Sequence, residues 1–184
     1  MLLTGVGPVN AEREFRPALK SPPPKTVFTC GFAGGLNPEF PRGAVVYEAD
    51  ADWPITEALS RAGARPARFH ASSRIVVLAS EKRTLRETTG ADAVDMESNI
   101  IRQICRAAQI PSATVRVISD TAQEDLPLDF NRCLTADARL DYVRLAARVL
   151  AAPHRLGGVL ALWRHSHQAA HTLAEVLARV MDCD

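Results

Sequence analysis

The chain has 184 residues, of which 47% are hydrophobic and 23% charged, and its formal net charge is +1. That length fits one domain spanning 1–184 around one hydrophobic core, and the composition excludes a disordered chain. The near-neutral balance offers no basic field for nucleic acid and no acidic tail. No apolar run approaches the roughly 18 residues that a membrane span needs. Met1 to Val9 lacks the charged start and long apolar stretch of a targeting segment, so a cytoplasmic protein is expected.

In chain order, Thr4 to Asn10 is a glycine-containing turn that leads into a predicted helix from Val9 to Leu19. Ser21-Pro22-Pro23-Pro24 is a stiff connector, because consecutive prolines cannot continue a helix. Lys25 to Cys30 is short, apolar and bounded by punctuation, which predicts a buried strand. Gly31 to Gly43 reads as a loop and Ala44 to Tyr47 as another strand. A helix is predicted over Trp53 to Arg61, and short strands over Arg68 to Ala71 and Arg74 to Ala79. Ser80 is placed to cap a helix reaching about Thr88. Ala91 to Met96 is a strand or strand end.

A helix follows, because Ile100, Ile101, Ile104, Cys105 and Ala108 recur at helical spacing; Pro111 stops it. Ala113 to Ile118 is β-branched and nearly continuous, as in a strand covered on both faces. The remainder reads as helix, from Thr135 to Ala151 and from Leu156 to Met181, with a possible break at Gly157-Gly158. Leu160, Leu162 and Trp163 fit either core or subunit packing. Strands alternating with helices indicate an α/β protein with a mostly parallel sheet.

Cys30, Cys105, Cys133 and Cys183 form no CxxC pair and have no histidine at zinc-ligand spacing, so free thiols and no metal are expected. His167 and His171 lie four apart on the last helix without a metalloprotease carboxylate pattern, so they read as a surface face.

Three segments carry candidate chemistry: Gly5 to Ala11, Thr29 to Leu36, and the pair Val94 to Ser98 with Arg116 to Ala122. Glycines let backbone amides approach an anion or a sugar oxygen, although glycine turns before helices are common for structural reasons alone. Glu97 and Asp120 each stand where an apolar strand gives way to a polar turn. A carboxylate there is costly unless paired or hydrogen-bonded. Each by itself fits a helix cap or an arginine partner; two at two strand ends point to a site.

In combination these segments resemble the nucleoside phosphorylase/nucleosidase superfamily. The resemblance runs from about Thr4 to Asn131 and carries four motifs in family order: the turn Gly5-Val6-Gly7, the loop Gly31 to Leu36, the run Val94-Asp95-Met96-Glu97, and the strand end Arg116 to Asp120. It implies a three-layer αβα fold with a central mixed, mostly parallel sheet. It also implies cleavage of the N-glycosidic bond of a purine nucleoside, of adenine type, by hydrolysis or phosphorolysis. No cofactor is implied beyond phosphate as a co-substrate, and a homo-oligomer is expected. Asp120 is similar to the family's general acid and Glu97 to the carboxylate that takes the ribose hydroxyls. Ser119 is placed to orient Asp120, Met96 to pack on the ribose unless it is a plain core residue, and Val6 near the 5′ substituent. Asp95, Gly7, Phe32, Ala33, Gly34 and Arg116 complete the implied substrate pocket. Arg116 shares strand parity with Asp120, which predicts one common face. It is expected to pair with Glu97 or a neighbouring carboxylate, the other possibility being a surface or interface arginine.

Two departures from the pattern matter. Family members carry some tens of residues before the glycine turn, which supply an early strand and, in the nucleosidases, a glutamate that activates water. Here Met1 stands three residues before Thr4, and Glu12 and Glu14 fall on the wrong side of the turn. The amino-terminal strands thus read as missing: the natural start lies upstream, or another chain supplies them, or this branch dispenses with them. Phosphorylases also place a serine in the glycine loop and an arginine shortly before it, where this chain has Phe32 and Thr29. The run Gly31 to Gly35 is most similar to the hopanoid-associated branch, which releases adenine from an adenosyl-linked triterpenoid. The competing reading is a nucleoside-binding or structural relative without turnover.

Overall fold

The structure is a computed structural model that describes residues 2–20, 22–50, 53–135 and 140–182. Its elements in chain order are α1 (Pro8–Ala18), β1 (Val27–Gly35), β2 (Val45–Ala49), α2 (Ile55–Arg61), β3 (Arg65–Pro66), β4 (Phe69–Ala71), α3 (Ala79–Thr89), β5 (Ala93–Asp95), α4 (Ser98–Ala107), β6 (Ser112–Asp120), α5 (Tyr142–Ala151) and α6 (Leu156–Met181). The strands form one sheet in the order β3-β2-β6-β1-β5-β4. It is mixed: β1–β6, β2–β3 and β4–β5 pair parallel, while β1–β5 and β2–β6 pair antiparallel. Helices cover both faces, giving a three-layer αβα arrangement.

The two faces follow from strand alternation. Val115 and Val117 of β6, with Val45 and Tyr47 of β2, pack on Leu59 of α2 and on Ala169, Leu173 and Val176 of α6. The apolar stripe of α4, Ile101, Ile104 and Cys105, meets Ala11 and Phe15 of α1 on the other side. The buried positions of α6 are thus in its second half, Ala169, Leu173, Val176 and Val180, while Leu160 and Trp163 are exposed. No single described helix is long and apolar enough to cross a membrane.

The structure corrects several sequence expectations. The glycine segment after Cys30 is not a loop: β1 continues to Gly35. It pairs with β6 from Val27 opposite Ser112 through Ala33 opposite Ile118, so the ladder satisfies the backbone that glycine would otherwise leave free. Arg74 to Ala79 is not a strand up to its helical end. Its backbone is bonded outside the sheet: Asn131 accepts from Ile75 N–H at 2.8 Å and donates to Ile75 C=O at 2.9 Å, and Leu126 N–H donates to Val77 C=O. The two-residue β3, with Pro66, carried too short a pattern to be read. Ser80 does not cap α3; that helix starts after Leu78, and Asp125 accepts from Ala79 N–H at 2.7 Å. A carboxylate brought from elsewhere in the chain does the capping work. Helix α5 starts at Tyr142, with Asp141 accepting from Val143 N–H and Arg144 N–H; 136–139 of the expected helix lie outside the described residues. Gly157 and Gly158 sit in the first turn of α6 and do not interrupt it.

Leu59 is fully buried in the α2–α6 cluster, whereas Leu160 is half exposed. Leu59→Ala is expected to cost about 2–5 kcal/mol of unfolding free energy, and Leu160→Ala less than about 0.5 kcal/mol, both read by urea denaturation.

Candidate active site

The carboxyl ends of β1, β5 and β6 and the turn before α1 open on one cavity of about 1180 Å³. Ligands bind at such strand ends in open α/β sheets because the loops there are free to carry function. Of the residues selected from sequence, Val6, Phe32, Ala33, Gly34, Asp95, Met96, Glu97, Arg116, Ser119 and Asp120 line it. Gly7 does not, but its N–H donates to Glu97 Oε1 at 2.7 Å. The two proposed catalytic carboxylates therefore share one cavity. The wall also holds residues that sequence reading passed over, among them Arg74, Ile75, Val76, Leu126 and Phe130. Their common signal was weak: an apolar run and a polar loop whose meeting is tertiary.

The glycine turn is built for this contact. Gly5 and Gly7 have φ of 73° and 87°, a region that side chains disfavour. Gly7 is the N-cap of α1, followed by Pro8 at the first helical position. The positive end of the α1 dipole thus meets Glu97. Glu97 is half-buried, and burial pushes its pKa above the ordinary 4.5, with Asp95 adding to the rise; the Gly7 N–H and Arg116 pull it back. Glu12 and Glu14 sit on α1 in ion pairs with Arg16 and Arg13.

Asp95 is engaged within the protein. Its Oδ1 accepts from Ser98 Oγ at 2.6 Å and its Oδ2 from Ser98 N–H at 3.1 Å, which caps the start of α4. Arg116 donates to the same Oδ2 through Nε at 2.9 Å, and Nη2 lies at 2.8 Å. The arginine expected to pair with Glu97 or a neighbouring carboxylate pairs with Asp95 and is buried, 3% exposed, rather than on the surface. Its Nη1 is buried without a hydrogen-bond partner among the described residues.

The expectation that Arg116 and Asp120 share a face fails, for a geometric reason. Opposite β1, the register steps from Ala33–Ile118 to Gly34–Asp120, which leaves Ser119 as an extra residue. Such a bulge reverses which side the following residue faces. A Cβ on Gly31 would lie 3.2 Å from Arg116 Nη1, and one on Gly34 would lie 3.4 Å from Asp120 Oδ2. Gly31 and Gly34 are three apart on one strand, so the two side chains leave opposite faces. Ser119 Oγ, freed from the ladder pattern, donates to Asp120 Oδ1 at 2.6 Å.

Asp120 has a further partner that sequence reading missed. Lys82 of α3, with no exposed surface, places Nζ 2.5 Å from Asp120 Oδ2. A lysine after a glutamate on a polar helix face carried no local signal.

The comparisons with known proteins fall on the same elements. The profile of the Phosphorylase superfamily matches residues 66–152, which include Glu97, Arg116 and Asp120. The 5′-methylthioadenosine/S-adenosylhomocysteine nucleosidase of Glaesserella parasuis serovar 5 (strain SH0165) is 27% identical over 167 residues, 73% of each chain. Solved structures share the fold: that of the corresponding nucleosidase from Neisseria meningitidis, in complex with methylthio-immucillin-A, has a TM-score of 0.70 at 19% identity, covering 99% of this chain and 80% of its own. Futalosine hydrolase of Helicobacter pylori strain 26695 has a TM-score of 0.69 at 15% identity, covering 97% of this chain and 77% of its own.

Two outcomes test the electrostatics of the site. The raised pKa of Glu97 means that the folded chain holds this proton more tightly than the unfolded one. Stability therefore falls as pH rises from about 4.5 through the higher folded value, and stays lowered above it. Glu97→Gln is expected to remove that loss and raise the melting temperature at neutral pH, read by thermal scans from pH 4 to 8. Arg116→Ala leaves Asp95 buried without its cation and is expected to destabilise by about 3–5 kcal/mol, measured by chemical denaturation.

Proposed function

We propose that this protein is an enzyme of the phosphorylase superfamily that cleaves the N-glycosidic bond of a purine nucleoside and releases the base, adenine in the first instance. One observation carries the reading: Asp120 and Glu97 line a single cavity, each held by groups that set its orientation. Asp120 transfers a proton to the purine ring nitrogen, so that the electron pair of the breaking bond is accepted by a better leaving group. Glu97, fixed by the Gly7 amide, takes the ribose hydroxyls and stabilises the positive charge that grows on the sugar. Met96 packs beside them on the ribose. The unpartnered Nη1 of Arg116 is available to an oxygen of the nucleophile or of the sugar. A relative that acts on methylthioadenosine and adenosylhomocysteine supports an adenine nucleoside as substrate.

The nucleophile is water or phosphate. Phe32, exposed in the cavity wall, offers no donor to phosphate, which favours water. Phe28 and Phe32 stand on one side of β1 facing this cavity, and Leu162 of α6 lines it as well. They favour a second, narrower reading, in which the 5′ substituent is a large apolar group such as an adenosyl-linked triterpenoid carries.

Adenine release from methylthioadenosine, adenosylhomocysteine and an adenosyl-linked triterpenoid, with and without phosphate, tests both. Release from at least one is expected, and Asp120→Asn is expected to lower kcat by roughly 10²–10⁴-fold. Full activity in that variant would refute the acid. Tight adenine binding with no release from any substrate would instead mark a binding protein without turnover. Preference for the triterpenoid would support the apolar pocket, and indifference to it would remove that reading.

A further inference from the structure

Lys82 lies outside the cavity lining, yet its ammonium is bound to the residue that the proposed chemistry depends on. Its three N–H groups have three acceptors: Asp120 Oδ2 at 2.5 Å, Thr121 C=O at 2.8 Å and Glu124 C=O at 2.9 Å. That saturates an ammonium and leaves it no donor for a substrate. The side chain has no exposed surface.

Burial of this charge is not explained by folding alone, since apolar residues of similar volume commonly serve a core as well as a buried ion pair does. The surroundings are arranged to hold it still. Asp125 caps the first turn of α3 through Ala79 N–H at 2.7 Å, and Leu126 N–H donates to Val77 C=O at 2.9 Å. The loop that follows β6 is thereby fastened to the helix that carries Lys82. The other acid nearby is occupied elsewhere: Glu124 accepts from Thr121 N–H at 2.9 Å and from Arg42 at 2.5 Å. Lys82 is left facing Asp120 as its counter-charge.

We propose that Lys82 is the positioning residue of the catalytic acid, holding Asp120 in the rotamer that faces the cavity and neutralising the carboxylate that forms when its proton leaves. This inference rests on the reaction proposed above. In that reaction the Asp120 proton goes to the purine nitrogen. The electrons of the C1′–N bond go into the base, and water adds its oxygen to C1′. The proton released by that water restores Asp120. Lys82 keeps its own protons throughout, and its charge offsets a negative charge present only after the transfer. A fixed charge aimed at a developing one acts on the chemical step rather than on substrate binding.

The test is steady-state adenine release by wild type, Lys82→Met, Asp120→Asn and the double variant, with folding checked by circular dichroism. Lys82→Met is expected to lower kcat roughly 10–100-fold while KM changes less than about threefold. The double variant is expected to be no slower than Asp120→Asn, because Lys82 acts only through that carboxylate. Wild-type kcat in Lys82→Met, a change confined to KM, or a further tenfold loss in the double variant would overturn the proposal. Should Lys82→Met fail to fold, the double variant leaves no lone buried charge, and its comparison with Asp120→Asn still decides. A wild type that releases no base from any nucleoside would sink the function reading instead. The positioning claim then stands or falls on crystal structures of wild type and Lys82→Gln: Asp120 turned out of its rotamer supports it, an unmoved carboxylate overturns it.

Discussion

The parallel pairing of β1 with β6, and the single extra residue that ends its regular register, set the geometry of everything around the cavity. Until Ala33 and Ile118 the two strands keep step, and Arg116 stays on the face that looks toward Asp95. After that point Ser119 is inserted, and Asp120 emerges on the other face. One strand thereby delivers an arginine to one carboxylate of the site and an acid to another part of it. The glycines of β1 make the arrangement possible sterically. Side chains on Gly31 and Gly34 would come within 3.2 Å of Arg116 and 3.1 Å of Val94. Their role is room for neighbouring side chains, not the tight turn that such a run suggests, and neither has positive φ.

Three carboxylates are gathered near one cavity, and each is treated differently. Asp95 is enclosed by Arg116 and Ser98, so its charge goes to fastening β6 and the start of α4. Glu97, two residues on, has a backbone amide at the start of α1 in place of a full counter-ion, and burial makes its charge costly. Asp120 has a full counter-charge in Lys82 and a hydroxyl donor in Ser119. Each of the three thus has its own set of partners, and so its own electrostatic environment.

Much of this was legible in the residues themselves. The β-branched run Ala113 to Ile118, the apolar stripe of α4 and the helix that follows the first glycine turn are local patterns, and local patterns encode local geometry. Glu97 and Asp120 were readable for the same reason, since each sits where a strand gives way to a turn; Met96 and Ser119 were singled out only through the resemblance to a known family. The segment Arg74 to Ala79 was not, because its strand-like backbone is satisfied by Asn131 and Leu126 and not by a neighbouring strand. Nor was the full length of β1, where glycines signal a break locally while β6 supplies the ladder.

The amino-acid order thus determined which segments could be helix or strand and which acids stand at strand ends, because side-chain periodicity and backbone preference act over a few residues. Only the tertiary structure decided that Ser119 is an unpaired extra residue, that Arg116 faces Asp95, and that Lys82 meets Asp120 across 38 positions of chain. Buried charges find partners by closeness in space, and no spacing along the chain records which cation a packed helix will bring to which acid.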